Sequence, residues 1–237
     1  MPNYALVNKD YHQETRIKTE RAAELGDGVQ MAITFPAEFR AIQSTYPILF
    51  QKMGDGNFLP VALFGFEPNE NLFLSDNGWD ASYLPAMMRK EPFLIGTQGE
   101  GEEATRMLSL DMDHPRVNRE EGEALFGVLG EMTEYLESQA ALLEMIYEGQ
   151  EQAKLFVQAL VDQDLIESVN FDITLNDGSQ NTLLGFYTIN EEKVAELSPE
   201  TLHLFNRNDM LMPLFMILAS TNNMRRLIDL KNATLSG

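Results

Sequence analysis

The sequence predicts an α+β fold, in which a sheet-rich N-terminal part packs against a helical C-terminal part that contains a β-hairpin. Short β-prone runs separated by turn signals fill residues 1–115, a long amphipathic stretch begins near residue 134, and residues 169–175 alternate strictly before an Asn-Asp-Gly turn. We expect a mixed or antiparallel sheet. We also expect residues 1–237 to form one domain, with the long helix, the hairpin and the terminal helices in residues 116–237.

Composition limits the classes of partner. With 237 residues, of which 44% are hydrophobic and 9% aromatic, the chain can bury a substantial core. A formal net charge of -20 disfavours nucleic acids and anionic membranes, because like charges repel. The absence of cysteine excludes disulfides and thiolate metal sites. We therefore expect a protein partner or a small molecule, no nucleic acid and no cofactor.

The distribution of apolar residues predicts a cytoplasmic protein without a membrane span. The N-terminal segment lacks the basic start, apolar core and small-residue cleavage site of a secretory signal. The longest apolar run, residues 210–219, is shorter than the roughly 20 residues that cross a bilayer. This Met-rich run predicts a buried helix instead.

The N-terminal part contains six β-prone runs between clusters of Gly, Pro, Asn and Asp. These runs are YALV, YPILFQK, FLPVALFGF, NLFLS, PFLIGT and RMLSLDM. One short helix is predicted from Pro36, which suits the first helical position, with Phe39 and Ile42 on one face. The acidic, glycine-rich segment 98–106 predicts an exposed loop.

A long helix is predicted to begin after Thr133, whose hydroxyl can cap the free amides. Glu134 and Glu137 complement the positive end of the helix dipole. The expected apolar face consists of Leu136, Ala140, Leu143, Tyr147, Ala153, Phe156, Val157 and Leu160. Gly149 interrupts this face, so we expect the weak point of the helix there.

The segment after the long helix gives the clearest strand signal in the chain. Apolar residues occupy every second position, at Val169, Phe171, Ile173 and Leu175. The pattern predicts a hairpin with one buried face, on which Phe171 and Ile173 are both buried. Asn190 and Ser198, which is followed by a proline, are expected to cap two further helices.

Several motifs in combination resemble those of the SapC family of bacterial proteins. Between residues 44 and 96 a Tyr-Pro strand, an apolar strand, an ENLF element, a Trp-bearing turn and a YLPA…R…PF segment follow one another. NDGSQNTLLGFYTINEEKVAELSPETL at 176–202 and LASTNNMRRL at 218–227 match the C-terminal pattern of that family.

This resemblance implies a genetic context in bacteria but no particular reaction. SapC relatives are linked to surface-layer loci, to TonB-dependent uptake genes and to genes for proteins like flavin-dependent halogenases. The resemblance implies no family-wide reaction, cofactor or set of catalytic residues. A peptide-transporter permease of the same name needs several membrane spans, and the hydropathy of this chain excludes that interpretation.

Three residues are candidates for binding a ligand or a partner. Trp79 and Tyr83 could stack on a sugar, a nucleobase or an indole if exposed, or belong to the core if buried. Pro85 and Pro92 limit the intervening segment to one helical turn, which places Arg89 near a helix C-terminus. Arg89 then either complements the helix dipole and acidic neighbours or grips a carboxylate or phosphate with two hydrogen bonds.

The most metal-like cluster is Asp111, Asp113 and His114, at the end of a predicted strand. Alternation would place the two carboxylates on one face beside the imidazole, where they could hold a divalent cation. The alternative is a solvated strand end. No G-x-S-x-G elbow and no phosphate-binding glycine loop is present in the sequence.

We therefore favour a non-catalytic binding or accessory protein associated with a nutrient-uptake or modification system. The alternatives are an enzyme that uses Asp111, Asp113 and His114 to hold a metal, and a protein associated with the surface layer. The sequence leaves a homo-oligomer open, since an exposed face of the long helix could support a dimer.

Overall fold

The computed structural model describes residues 3–98 and 105–235. The strands are β1 (Tyr4–Leu6), β2 (Arg16–Ile17), β3 (Met31–Ile33), β4 (Ile48–Lys52), β5 (Phe58–Leu63), β6 (Leu74–Ser75), β7 (Gly78–Trp79), β8 (Phe93–Gln98), β9 (Thr105–Asp111), β10 (Val117–Asn118), β11 (Glu123–Ala124), β12 (Ile166–Thr174) and β13 (Gln180–Ile189). The helices are α1 (Lys9–His12), α2 (Phe39–Ile42), α3 (Ala86–Arg89), α4 (Glu134–Asp162), α5 (Glu191–Ala195), α6 (Pro199–Arg207), α7 (Leu211–Ser220) and α8 (Asn223–Leu235).

The predicted α+β class is confirmed, and the described strands pair antiparallel throughout. A five-stranded sheet has the order β12-β13-β4-β5-β3. The C-terminal hairpin joins the N-terminal strands where Phe186 and Tyr187 pair with Gln51 and Phe50. The sheet therefore combines strands from both parts of the chain.

Smaller sheets surround this central one. Strands β1, β9 and β8 form a three-stranded sheet, β10, β2 and β11 form another, and β6 pairs with β7. The loop predicted at 98–106 is wrong at its two ends, because Gln98, Thr105 and Arg106 lie in paired strands. Residues 99–104 of that loop lie outside the described residues.

The hairpin prediction is confirmed in its alternation. Ile173 is buried and Phe171 is partly buried against the main core, while Asp172 and Thr174 are exposed. The register shifts between Val169 and Phe171, at a β-bulge or irregularity. Phe171 lies next to this shift and is less deeply buried than Ile173.

Helix α4 begins as predicted, with the Thr133 hydroxyl accepting a hydrogen bond from the Leu136 amide. It runs unbroken through Gly149, so the expected weak point is wrong. A Cβ at Gly149 would overlap the ring of Phe35, and glycine is therefore required for this close approach. The buried face uses Leu142 and Ile146 in addition to most of the predicted residues, whereas Ala140 is half-buried and Tyr147 is exposed.

The other local predictions agree with the structure. A short 3-10 turn from Pro36 leads into α2, whose Phe39 and Ile42 are fully buried. Asn190 caps α5 and Ser198 caps α6. The Met-rich run forms α7, whose buried side packs in the main core. Among residues 3–98 and 105–235, no helix is long and apolar enough to cross a membrane.

Candidate functional site

A pocket of about 420 Å³ lies between the segment after β2, the loop before α3 and the first turns of α4. Its polar lining includes Lys18, Arg21, Tyr83, Arg89, Tyr135 and Gln139. The pocket therefore gathers three cationic side chains in a chain whose formal net charge is -20.

The buried carboxylate of Glu38 holds the wall that carries Arg89. It accepts hydrogen bonds from the Ala86 amide (2.5 Å), the Tyr83 hydroxyl (2.8 Å) and the Thr34 hydroxyl (3.0 Å). Burial raises the pKa of Glu38, and these hydrogen bonds oppose the shift because they favour the charged form. Glu38 thereby fixes both the loop before α3 and the start of that helix.

Arg89 ends α3, as the two flanking prolines predict. It is exposed, and no carboxylate of the described residues lies within 4.0 Å of its guanidinium to form an ion pair. Burial and the neighbouring Glu38 raise the pKa of Tyr83, while Arg89 opposes this shift. Arg89 thus lies beside the Tyr83 hydroxyl with donors left for a ligand.

A second arginine, Arg116, is buried behind the wall that carries Lys18 and Arg21 and stabilises that wall. Arg116 is 1% exposed and binds the carboxylate of Asp27, also 1% exposed, at 2.6 Å. Its guanidinium also donates to the backbone carbonyls of Lys18 (2.9 Å) and Glu20 (2.6 Å). These contacts fix the segment that presents Lys18 and Arg21 to the pocket.

Arg21 contacts the buried Arg116–Asp27 pair with part of its guanidinium. It contacts Asp27 at 3.2 Å and donates to the Met88 carbonyl at 2.8 Å, which ties its segment to α3. Burial lowers the pKa of Arg21, and the neighbouring Arg116 adds to this effect. One carboxylate, Asp27, therefore faces two guanidinium groups.

The first turns of α4 contribute two polar side chains with unused hydrogen-bonding capacity. Burial raises the pKa of Tyr135 to about 12, and no hydrogen bond to its hydroxyl occurs within residues 3–98 and 105–235. The Gln139 Oε1 atom is buried without a hydrogen-bond partner among the described atoms. A buried amide oxygen in this condition is costly unless a ligand or water satisfies it.

Comparison with known sequences identifies the family to which this arrangement belongs. A SapC family profile matches residues 7–227, which include every pocket residue named above. The chain belongs to the SapC family. Neither a curated protein nor a solved structure matches it significantly.

In this SapC protein, Tyr83 and Arg89 lie together in the pocket, and Trp79 does not line it. The Trp79 indole packs edge-on against Phe64 and donates to the Tyr46 hydroxyl at 2.8 Å. Tyr46 in turn donates to the Tyr83 carbonyl at 2.5 Å. Trp79 therefore supports the pocket wall from the core side.

The predicted metal residues do not converge in the SapC fold. The Asp111 carboxylate accepts a hydrogen bond from the Asp113 amide at 3.1 Å, as in a turn. His114 accepts from the Arg116 amide through Nδ1, and its Nε2 atom lies 3.7 Å from a Glu91 carboxylate oxygen. Within the described part of the chain, no group of three or more His, Asp or Glu side chains is placed to hold a metal.

Among the pocket residues that sequence reasoning missed are Lys18, Arg21, Tyr135 and Gln139. They come from segments more than 100 residues apart, which strand pairing and the Arg116–Asp27 contact bring together. The only available signal was the scarcity of cations in this SapC chain, 17 against 37 acidic residues. The composition alone does not predict which cations lie close together in the fold.

Proposed function

We propose that this SapC-family protein is a non-catalytic binding protein, which holds a small anionic ligand in the Arg89 pocket as an accessory component of a bacterial uptake or modification system. The observation that carries this proposal is the guanidinium of Arg89, which has no carboxylate partner among residues 3–98 and 105–235 and lies in a pocket with two further cations. A guanidinium can bind a carboxylate or phosphate with two parallel hydrogen bonds, and such charge-assisted bonds are the strong ones.

The protonation behaviour of the pocket supports binding over proton transfer. Burial raises the pKa of Tyr83 and of Tyr135, so both phenols stay protonated near neutral pH. Hydrogen bonding to Glu121 raises the pKa of Lys18, which stays a cation. A general base requires a pKa near the operating pH, and these side chains lie far from it. Lys18 and Tyr135 are suited to donating hydrogen bonds to a bound anion, while the Tyr83 hydroxyl already donates to Glu38.

The proposal treats residues 1–237 as one SapC-like domain. Support comes from the central sheet, in which the C-terminal strand β13 pairs with β4 from the N-terminal part. Separating the parts near residue 115 would leave each with an incomplete sheet. The cytoplasmic location stays a prediction from the sequence, and immunodetection of the native protein in cell fractions would test it.

Calorimetric titration of the full chain with a panel of small carboxylates and phosphates tests the function. At least one anion should bind, and Arg89→Ala should weaken that binding about tenfold or more, because a hydrogen bond to a charged group is worth about 1.5–3 kcal/mol. Arg89→Lys should restore little, since an ammonium cannot reproduce the bidentate geometry.

Arg207→Ala is the matched control. Arg207 also lies in the last turn of a helix and is exposed, but it does not line the pocket. Its removal should leave binding unchanged. The proposal fails if no anion binds, or if the two alanine variants weaken binding equally.

A further inference from the structure

The charges around the Arg89 pocket give information about the charge of its ligand. Lys18, Arg21 and Arg89 line the pocket, and Glu91 is the one carboxylate among the described lining residues. Glu91 is itself 2.7 Å from the ammonium of Lys90. The lining thus has a surplus of two positive charges.

This surplus persists when the ion-pair partners of the lining residues are counted. Lys18 pairs with Glu121, and Asp27 is shared by Arg21 and Arg116. With the Lys90–Glu91 pair included, five cations face three carboxylates among the described residues. The cations are Lys18, Arg21, Arg89, Arg116 and Lys90, and the carboxylates are Glu121, Asp27 and Glu91. Glu38, beneath Tyr83 and outside the lining, is a fourth carboxylate, and hydrogen bonds from Ala86, Tyr83 and Thr34 already hold it, so the surplus of two at the lining remains. A dianion balances this surplus better than a single carboxylate does.

The unused donors fit the same conclusion. Arg89 on α3 and Tyr135 on α4 offer a guanidinium and a hydroxyl, and Gln139 can donate through its amide nitrogen, whereas its buried Oε1 atom only accepts and is left for a donor on the organic part of a ligand or for water. A phosphoryl group carries about -1.5 to -2 charges and three strong acceptor oxygens, whereas a carboxylate carries one charge and two oxygens. Three separate donor groups therefore match a phosphoryl group.

We propose that the ligand is a small phosphate monoester, whose phosphoryl group is bound by Arg89 together with Tyr135 and Gln139. This inference rests on the proposed function, in which the Arg89 pocket binds an anion. A cavity of about 420 Å³ holds the volume of roughly fourteen water molecules at about 30 Å³ each, more than a phosphate needs. The organic part then packs against Tyr83 and Leu84, which also line the cavity.

Phenyl phosphate and benzoate are a matched pair of probes, because they share the ring and differ in the anionic group. At pH 7.5 we expect the full chain to bind phenyl phosphate at least about tenfold more tightly than benzoate, measured by calorimetry, because bonds to the extra charge and oxygen add to affinity. The second pKa of a phosphate is about 6, so the dianion is lost on acidification. Affinity for phenyl phosphate should fall several-fold between pH 7.5 and pH 5.

Acidification also protonates side chains near the pocket, and this makes the pocket more positive and favours anion binding. Burial lowers the pKa of His114, which faces Glu91, and protonation of His114 on acidification adds positive charge. Protonation of Glu38 removes a negative charge near Arg89. Lys18 and Arg21 keep their charge in this range. Weaker binding at low pH therefore reports protonation of the ligand, and benzoate binding should stay level or strengthen.

Variants of α4 test the two new contacts. Tyr135→Phe and Gln139→Leu should each weaken phenyl phosphate binding about three- to tenfold, as expected for one lost hydrogen bond. Tyr147→Phe, on an exposed position of the same helix, should have no effect.

Each outcome separates the two proposals. Equal affinity for both probes with a flat pH profile overturns the phosphate monoester but keeps an anion site at Arg89. Loss of binding in Arg89→Ala with none in Tyr135→Phe or Gln139→Leu overturns the role of α4. Absence of binding to every anion overturns the proposed function itself.

Discussion

The regions around Arg116 and Arg89 contain the same side chain in opposite circumstances. Arg116 is 1% exposed, and its guanidinium contacts the Asp27 carboxylate and the backbone carbonyls of Lys18 and Glu20. Arg89 is exposed, with no carboxylate partner among the described residues. The two differ in how much of their hydrogen-bonding capacity the fold already uses.

This difference distinguishes a structural cation from a binding one. The Arg116 guanidinium joins segments 89 residues apart, so its removal should affect folding. Arg89 contributes little to tertiary structure, so its removal should affect the ligand. The contacts of Arg116 hold its region together, although its buried Nε atom has no hydrogen-bond partner among the described residues. Arg89 instead leaves donors available for a ligand.

The largest effect is expected for Arg116→Met. Removing one partner of a buried ion pair costs about 3–5 kcal/mol, since the remaining charge stays buried. The Lys18 and Glu20 carbonyls would also lose their donor. Urea denaturation followed by circular dichroism should show this loss in the free energy of unfolding. Arg89→Met, measured alongside, should lose far less, and equal losses would remove the distinction between the two arginines.

Tyr83→Phe should have the next largest effect, because it removes a hydroxyl that donates to the buried Glu38 carboxylate. A less satisfied buried carboxylate costs about 1–3 kcal/mol of unfolding free energy. The same denaturation experiment measures it, and Tyr147→Phe serves as the exposed control. A neutral result would mean that Glu38 is protonated or hydrated in the folded protein.

Thr133→Ala should reduce stability by about 1 kcal/mol, the usual contribution of a helix N-cap. Ser198→Ala removes the equivalent cap of α6, which does not line the pocket. We expect the larger thermal destabilisation for Thr133→Ala, because the Thr133 hydroxyl also donates to the Ala124 carbonyl at 2.7 Å. Only Thr133→Ala should also weaken anion binding, because Tyr135 lies in the first turn of α4. Equal binding in both would show that the cap does not position Tyr135.

The smallest change in stability is expected for Arg89→Ala, about 0.3–1 kcal/mol from the helix-dipole term. The thermal melt of this variant should nearly superimpose on that of Arg207→Ala. A loss as large as that of Arg116→Met would place Arg89 among the structural residues and contradict the comparison.

Local physics made much of the fold predictable. Alternation at 169–175 marked the hairpin, and the caps Thr133, Asn190 and Ser198 marked helix starts, since each depends on neighbouring residues. The requirement for glycine at position 149 was not predictable. Its role depends on the ring of Phe35, far away in sequence.

The candidate site was only half predictable for the same reason. The prolines around α3 place Arg89 at a helix end, and the adjacent Tyr83 shares its wall. By contrast, β10 and β11 have two residues each, too few to show a period, yet they pair with β2 beside Lys18. Long-range pairing of such short strands leaves no periodic signal in the sequence.

Trp79 is the single tryptophan of the chain, so selective excitation of indole reports on one point of the molecule. From that point a line of two hydrogen bonds passes through the Tyr46 hydroxyl to the Tyr83 carbonyl, at the wall of the pocket. The intrinsic fluorescence of the unlabelled protein therefore reports changes near the pocket wall. The emission wavelength of Trp79 depends on the polarity around its indole, and the emission intensity depends on its contact with the Tyr46 hydroxyl.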